Sequence, residues 1–137
     1  MAPRIARRAF ALCFITLAAG CGGERLEPVE GRISVNGKPL PRAGLLFKPI
    51  GDAMPVEPAG NVEADGVYKI FTNKRPGAPA GSYKVIVIAQ EPIDPDNPYV
   101  PRSSLIDTKY NTEATTDLTI EVRAGAPAGA YDLDLKK

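Results

Sequence analysis

Proline and glycine break this chain into short β-prone runs, and that punctuation excludes most folds other than an all-β one. There are 14 prolines and 13 glycines in 137 residues, and past residue 28 no stretch sustains apolar residues at helical spacing. Proline removes an amide donor and glycine weakens a helix interior, so neither leaves room for long helices. Seven runs read as strands: 29–35, 44–49, a weaker 56–62, 67–72, 82–90, 117–123 and 130–136. In the first, Val29, Gly31, Ile33 and Val35 share one parity while Glu30, Arg32 and Ser34 take the other, as a strand with one buried face requires. Leu45 and Phe47, then Leu118, Ile120 and Val122, then Tyr131, Leu133 and Leu135 repeat the pattern. The run 82–90 differs, because Val85-Ile86-Val87-Ile88-Ala89 is apolar on both parities and so predicts a central strand. Asn36-Gly37 and Glu63-Ala64-Asp65-Gly66 are hairpin signals. Strand count and spacing predict a small seven-stranded β-sandwich.

One heptapeptide recurs. Gly77-Ala78-Pro79-Ala80-Gly81-Ser82-Tyr83 returns as Gly125-Ala126-Pro127-Ala128-Gly129-Ala130-Tyr131, each copy ahead of an alternating run. The expectation is a turn that launches a strand, with the tyrosine ring buried and its hydroxyl at the rim. Between residues 91 and 116 lies the least regular segment, with Pro92, Pro95, Pro98 and Pro101 ahead of a polar stretch. Loops of that length are functional or loosely ordered.

The first twenty residues have the parts of an export signal: Arg4, Arg7 and Arg8, an apolar run over 9–19, and small residues before a cysteine. The run is too short to span a bilayer. Leu17-Ala18-Ala19-Gly20-Cys21 resembles a bacterial lipobox, in which cleavage between Gly20 and Cys21 leaves a cysteine carrying a diacylglyceryl thioether. That implies a signal peptide over 1–20, a lipidated Cys21 with a polar tether over 21–28, and a domain over 29–137. The seven residues 22–28 reach at most about 25 Å, so the domain sits near its membrane. The expected location is a bacterial membrane, outer more than inner, with the domain on the periplasmic or cell-surface side. The export route, general or twin-arginine, stays open.

Removing the leader leaves 14 basic and 16 acidic residues, and the basic ones run together only in pairs such as Lys74-Arg75. That balance excludes the cationic footprint of a nucleic-acid binder. The chain has no histidine, and both cysteines, Cys13 and Cys21, lie in or at the leader. Histidine-dependent nucleophilic catalysis and the usual zinc sites are thereby excluded, and no cofactor is expected.

The segments Val29-Glu30-Gly31-Arg32-Ile33-Ser34-Val35-Asn36-Gly37-Lys38-Pro39-Leu40, Ala43-Gly44-Leu45-Leu46-Phe47-Lys48-Pro49, Asp65-Gly66-Val67-Tyr68 and Pro79-Ala80-Gly81-Ser82-Tyr83-Lys84-Val85, with Lys109-Tyr110-Asn111 further on, resemble carboxypeptidase regulatory-like, transthyretin-like domains. The resemblance spans most of 29–135 and implies a seven-stranded Greek-key β-sandwich, commonly an accessory module of small bacterial lipoproteins. The hydroxyisourate hydrolase branch of that fold needs histidines and a C-terminal Tyr-Arg-Gly-Ser, which this chain lacks.

The expected function is a membrane-anchored, non-enzymatic module that contacts an envelope protein or glycan through its sheet edges and the 91–116 loop. A second expectation is a ligand module for glycan or calcium using that loop. Glu91, Asp94, Asp96 and Asn97 form its oxygen-rich cluster, and Tyr99 and Tyr110 could stack on a sugar or pack the loop down, packing being the expectation for both. As an EF-hand loop from Asp94 the segment fails, with Pro98 at the fifth position, Tyr99 where glycine belongs and Leu105 where the bidentate Glu belongs. A carboxylate-dependent hydrolase is a third reading, though no spacing singles out an acid pair.

Overall fold

The computed structural model describes residues 25–51 and 56–137. Among them there is no α-helix, and one 3-10 turn, Thr108–Asn111, interrupts an otherwise all-β chain. The leader, Gly20 and Cys21 lie outside the described residues.

The described residues form eleven strands: β1 Leu26–Glu27, β2 Glu30–Val35, β3 Lys38–Pro39, β4 Gly44–Pro49, β5 Ala59–Val62, β6 Val67–Thr72, β7 Arg75–Pro76, β8 Ala78–Pro79, β9 Gly81–Ile88, β10 Thr119–Val122 and β11 Leu133–Leu135. The main sheet runs β10-β9-β4-β5-β6-β2-β11, with β3 on β2 and β7 on β6, while β1 and β8 pair separately. Pairing is antiparallel except that β11 runs parallel to β2, Leu133 opposite Ile33. The sheet curls around one apolar core.

Strand pleating builds that core, since alternate side chains point to the same face. Ile33, Leu45, Phe47, Tyr68, Ile70, Tyr83, Val85, Val87, Val122 and Leu135 are all buried. Phe47 and Tyr83 pack at its centre with ring centroids 5.6 Å apart and planes tilted by 43°. Tyr68 also lies in the core and donates its hydroxyl proton to the Tyr131 carbonyl. Burial pushes its phenol pKa well above the usual tyrosine range, and the charge of Asp132 and the nearby Tyr131 push the same way.

The Asn36-Gly37 turn is as expected, with both residues at positive φ (49° and 82°) joining β2 to β3. Glu63 and Val67 close the second expected hairpin, with Gly66 at φ 83°. A third turn has no glycine: Asn73 and Lys74 sit at φ 49° and 68° between β6 and β7. Lysine in that region carries a steric cost that the hairpin's pairing must offset.

Three expectations are corrected. Leu26 and Glu27, assigned to the tether, pair with Pro79 and Ala78, and Glu27 is buried while its carboxylate meets the Arg25 guanidinium at 2.9 Å. The folded part therefore begins closer to Cys21 than residue 29. The last strand covers Leu133–Leu135 only, because the Ala130 and Asp132 amides donate to the Pro127 and Gly129 carbonyls in tight turns. The run 82–90 is central, between β10 and β4, yet its outer face is open: Ile86 is buried, but Ile88 is 51% exposed.

Candidate interaction surface

The 91–103 loop leaves the end of β9 and is exposed along its whole length. Its oxygen-rich cluster is used locally. Asp94 Oδ1 accepts the Asp96 amide at 2.9 Å, and the Asn97 amide donates to the Asp94 carbonyl at 3.2 Å, so Asp94 organises a turn. Glu91 is pinned through its backbone, its amide donating to the Ser103 carbonyl at 3.0 Å. No group of three or more His, Cys, Asp or Glu residues able to hold a metal ion occurs among the described residues.

The two candidate tyrosines part company. Tyr110 is 3% exposed, lies in the 3-10 turn, and its hydroxyl accepts the Lys136 amide at 3.3 Å. Asp107 caps that turn by accepting the Lys109 amide, and Lys109 Nζ sits 4.9 Å from the Tyr110 ring centroid. The Lys109 ammonium also donates to Asp117 Oδ2 at 3.0 Å, which holds its pKa above the ordinary lysine value. Tyr110 thus packs the segment down and is out of reach of a sugar. Tyr99 is 94% exposed and packs nothing, against the expectation of packing for both. Ile93 and Val100 beside it are also exposed, so the loop presents apolar side chains outward.

Beyond the loop, the outer face of the sheet carries an apolar row absent from the sequence-based candidates. Register places Ile86, Leu46, Ala59 and Phe71 side by side across β9, β4, β5 and β6. The next row is Ile88, Gly44, Asn61 and Lys69. A Cβ at Gly44 would meet nothing within 4 Å, so the second row is low and an open groove of about 550 Å³ forms over both. It continues through Gly44, Asn61 and Ile88 into a second groove of about 900 Å³ bounded by Arg42, Ile93 and Arg102. The signal was present as Leu46, Phe71 and Ile88 on the outward parity of their runs. An apolar residue on both parities means either a covered strand or an exposed apolar face, and pattern alone cannot separate them.

A third cleft, of about 320 Å³, lies against Asp65, Asp132 and Asp134. Their carboxylates serve the fold: they accept the Val67 amide, the Arg32 amide and the Ser34 hydroxyl respectively. Ser34 and Ser104 have no histidine to activate them, and the Ser104 hydroxyl bonds the Ala89 and Ile106 carbonyls. These hydroxyls and carboxylates are taken up by hydrogen bonds within the fold.

Comparison of the chain with protein-family models, with curated proteins and with solved structures found no match.

Proposed function

We propose that the chain is an exported, lipid-anchored envelope protein whose β-domain acts as a non-enzymatic contact module. The observation that carries this reading is the junction Leu17-Ala18-Ala19-Gly20-Cys21 behind a basic, then apolar, leader. Acyl chains contribute about 0.8 kcal/mol per buried methylene, so a diacylglyceryl cysteine with further acylation holds permanently, unlike one chain alone. The all-β fold favours a seven-stranded Greek-key sandwich of the transthyretin-like, carboxypeptidase regulatory-like kind: β2, β4, β5, β6, β9, β10 and β11 are the strands longer than two residues. No described helix is long and apolar enough to cross a membrane, and the proposed anchor needs none.

The contact surface is the outer groove continued into the 91–103 loop, with Phe71, Ile88, Ile93, Tyr99 and Val100 as exposed apolar contacts. Exposed apolar groups of this kind, grouped and rimmed by charge, suit a protein or glycan partner. Labelled palmitate fed to an expressing bacterium tests the anchor: the wild-type chain takes up label and Cys21→Ser does not. Label in neither chain refutes it. Crosslinking through position 99 tests the surface, and Phe71→Asp with Ile88→Asp should abolish the adduct.

A further inference from the structure

The main sheet ends in two margins that differ. Beyond β11 the backbone is covered: the Asp107 amide donates to the Lys136 carbonyl at 3.0 Å, and the Lys136 amide donates to the Tyr110 hydroxyl at 3.3 Å. At β10 it is open. In an antiparallel pair, alternate residues turn both amide and carbonyl toward the neighbouring strand. The Val85 amide donates to the Leu118 carbonyl at 3.0 Å, Tyr83 lies opposite Ile120 and Gly81 opposite Val122, so Leu118, Ile120 and Val122 face β9. Thr119 and Glu121 therefore point their amides and carbonyls away from the sheet. No strand among the described residues lies beyond them, and both residues are exposed. Neither proline nor lysine, the usual guards of an edge strand, interrupts β10. The open stretch stops at Arg123, whose amide and carbonyl are both taken by the Tyr131 hydroxyl.

From this open edge we propose that β10 pairs with β10 of a second copy of the chain, extending the sheet across a two-fold axis. A two-fold contact uses the same patch on both copies, and an axis perpendicular to the sheet makes the new pair antiparallel. The open groups then select the register. With the axis at Ile120, Thr119 lies opposite the partner's Glu121 and Glu121 opposite the partner's Thr119, so every open group gains a hydrogen bond. The same register sets Arg123 opposite the partner's Asp117, whose Oδ2 accepts from Lys109 within its own chain. Lys84, beside Thr119 on β9, adds a cation on the same face as the partner's Glu121. An axis at Thr119 instead sets Asp117 opposite the partner's Glu121, and an axis at Glu121 sets Glu121 against itself. Like charges directly opposite destabilise a strand pair. An axis at Val122 needs the Arg123 backbone groups that Tyr131 already holds. The ladder is short, and the inference rests on the anchored reading: the lipid confines the copies to one surface and raises their effective concentration. A two-fold axis along the membrane normal lets both copies present the same face to that membrane.

Cysteines at the two open positions read the register. Full-length T119C and E121C chains carrying different epitope tags are expressed in a bacterial host, alone and together, the cells are oxidised with copper phenanthroline, and peptide masses locate any disulfide. In the Ile120 register, T119C and the partner's E121C form a hydrogen-bonded pair with Cα atoms about 5.5 Å apart, within disulfide reach. Two T119C residues lie on the diagonal at about 8 Å, beyond it, and so do two E121C residues. The expected result is a 119–121 disulfide when both chains are present and none when either is alone. Adding Glu121→Pro to the T119C chain removes an outward amide without touching the β9 ladder, and it should abolish the disulfide while leaving the urea midpoint in place. Linkage of T119C or E121C to itself, linkage to a different envelope protein, or a disulfide that survives Glu121→Pro overturns the proposal. Intact mass of the same cells' protein reports lipidation separately. A lipidated chain that forms no 119–121 disulfide overturns the pairing and leaves the anchor standing. An unlipidated chain that still forms it supports the pairing while refuting the anchor, and one that does not form it refutes both.

Discussion

The two copies of Gly-Ala-Pro-Ala-Gly-x-Tyr share local sequence and adopt different structures. In the first, Ala78–Pro79 is itself a strand because Leu26–Glu27 lies alongside to pair with it, and Gly81 opens the eight-residue β9. Tyr83 is fully buried, and its hydroxyl donates to the Pro79 carbonyl at 2.6 Å, so it reaches no rim. In the second, no strand among the described residues pairs with 125–130. The backbone closes on itself through Pro127 and Gly129, and Tyr131 precedes the strand instead of opening it. Its hydroxyl lies 3.2 and 3.3 Å from the Arg123 amide and carbonyl, longer contacts at the sheet margin. Identical turn chemistry thus yields a strand or a turn according to whether a neighbouring backbone is present to take the hydrogen bonds.

The contrast can be broken most forcefully at the tyrosines. Tyr83→Ala should cost about 3–5 kcal/mol, the range for emptying a buried aromatic site, and Tyr131→Ala distinctly less. Urea titration of both variants checks the order, and equal losses would remove the distinction. The glycines give the next largest effect. At Gly77, φ is 102° and an added Cβ would lie 2.5 Å from the Glu27 carbonyl oxygen, whereas at Gly125 φ is 68° and the Cβ would meet nothing. Gly125→Ala should therefore cost only the left-handed backbone penalty of about 1–2 kcal/mol. Gly77→Ala should cost more and loosen β1, visible as faster amide exchange at Ala78.

Alkaline pH links the second copy to the core. The Tyr68 hydroxyl donates to the Tyr131 carbonyl, and its pKa is raised in the folded state. Above about pH 10 the unfolded chain loses this proton while the folded one keeps it, so stability falls as pH rises. The limiting slope is about 1.4 kcal/mol per pH unit. Denaturation midpoints should show that component in wild type and lose it in Tyr68→Phe. The smallest expected differences come from the hydroxyls alone: Tyr83→Phe should cost about 1–1.5 kcal/mol and Tyr131→Phe about 0.5 kcal/mol.

Legibility in the sequence follows the same rule. The runs around Ile33, Phe47, Ile70 and Ile120 were readable because alternation reports one-sided burial directly, the run around Val85 because it is apolar throughout, and Asn36-Gly37 because few residues tolerate its backbone. The short β1–β8 ladder was not, since Leu26–Glu27 gains its structure from a partner fifty residues away. The Asn73-Lys74 turn lacks the glycine that would announce it. Within the candidate site, Asp94 is on the surface as its loop implied, Tyr99 is exposed where packing was expected, and the burial of Tyr110 depends on contacts with the far C-terminal end. The apolar groove depends on which face of β9 is left uncovered, which no single run encodes.

The account stands most directly on the fate of Cys21. Intact mass and membrane fractionation of the full-length chain in a bacterial host, wild type beside Cys21→Ser, measure it. Loss of residues 1–20, a diacylglyceryl increment and pelleting with membranes in wild type alone are the predicted results. A wild-type chain that is soluble and without the increment would contradict the anchored reading and make the domain a freely secreted one.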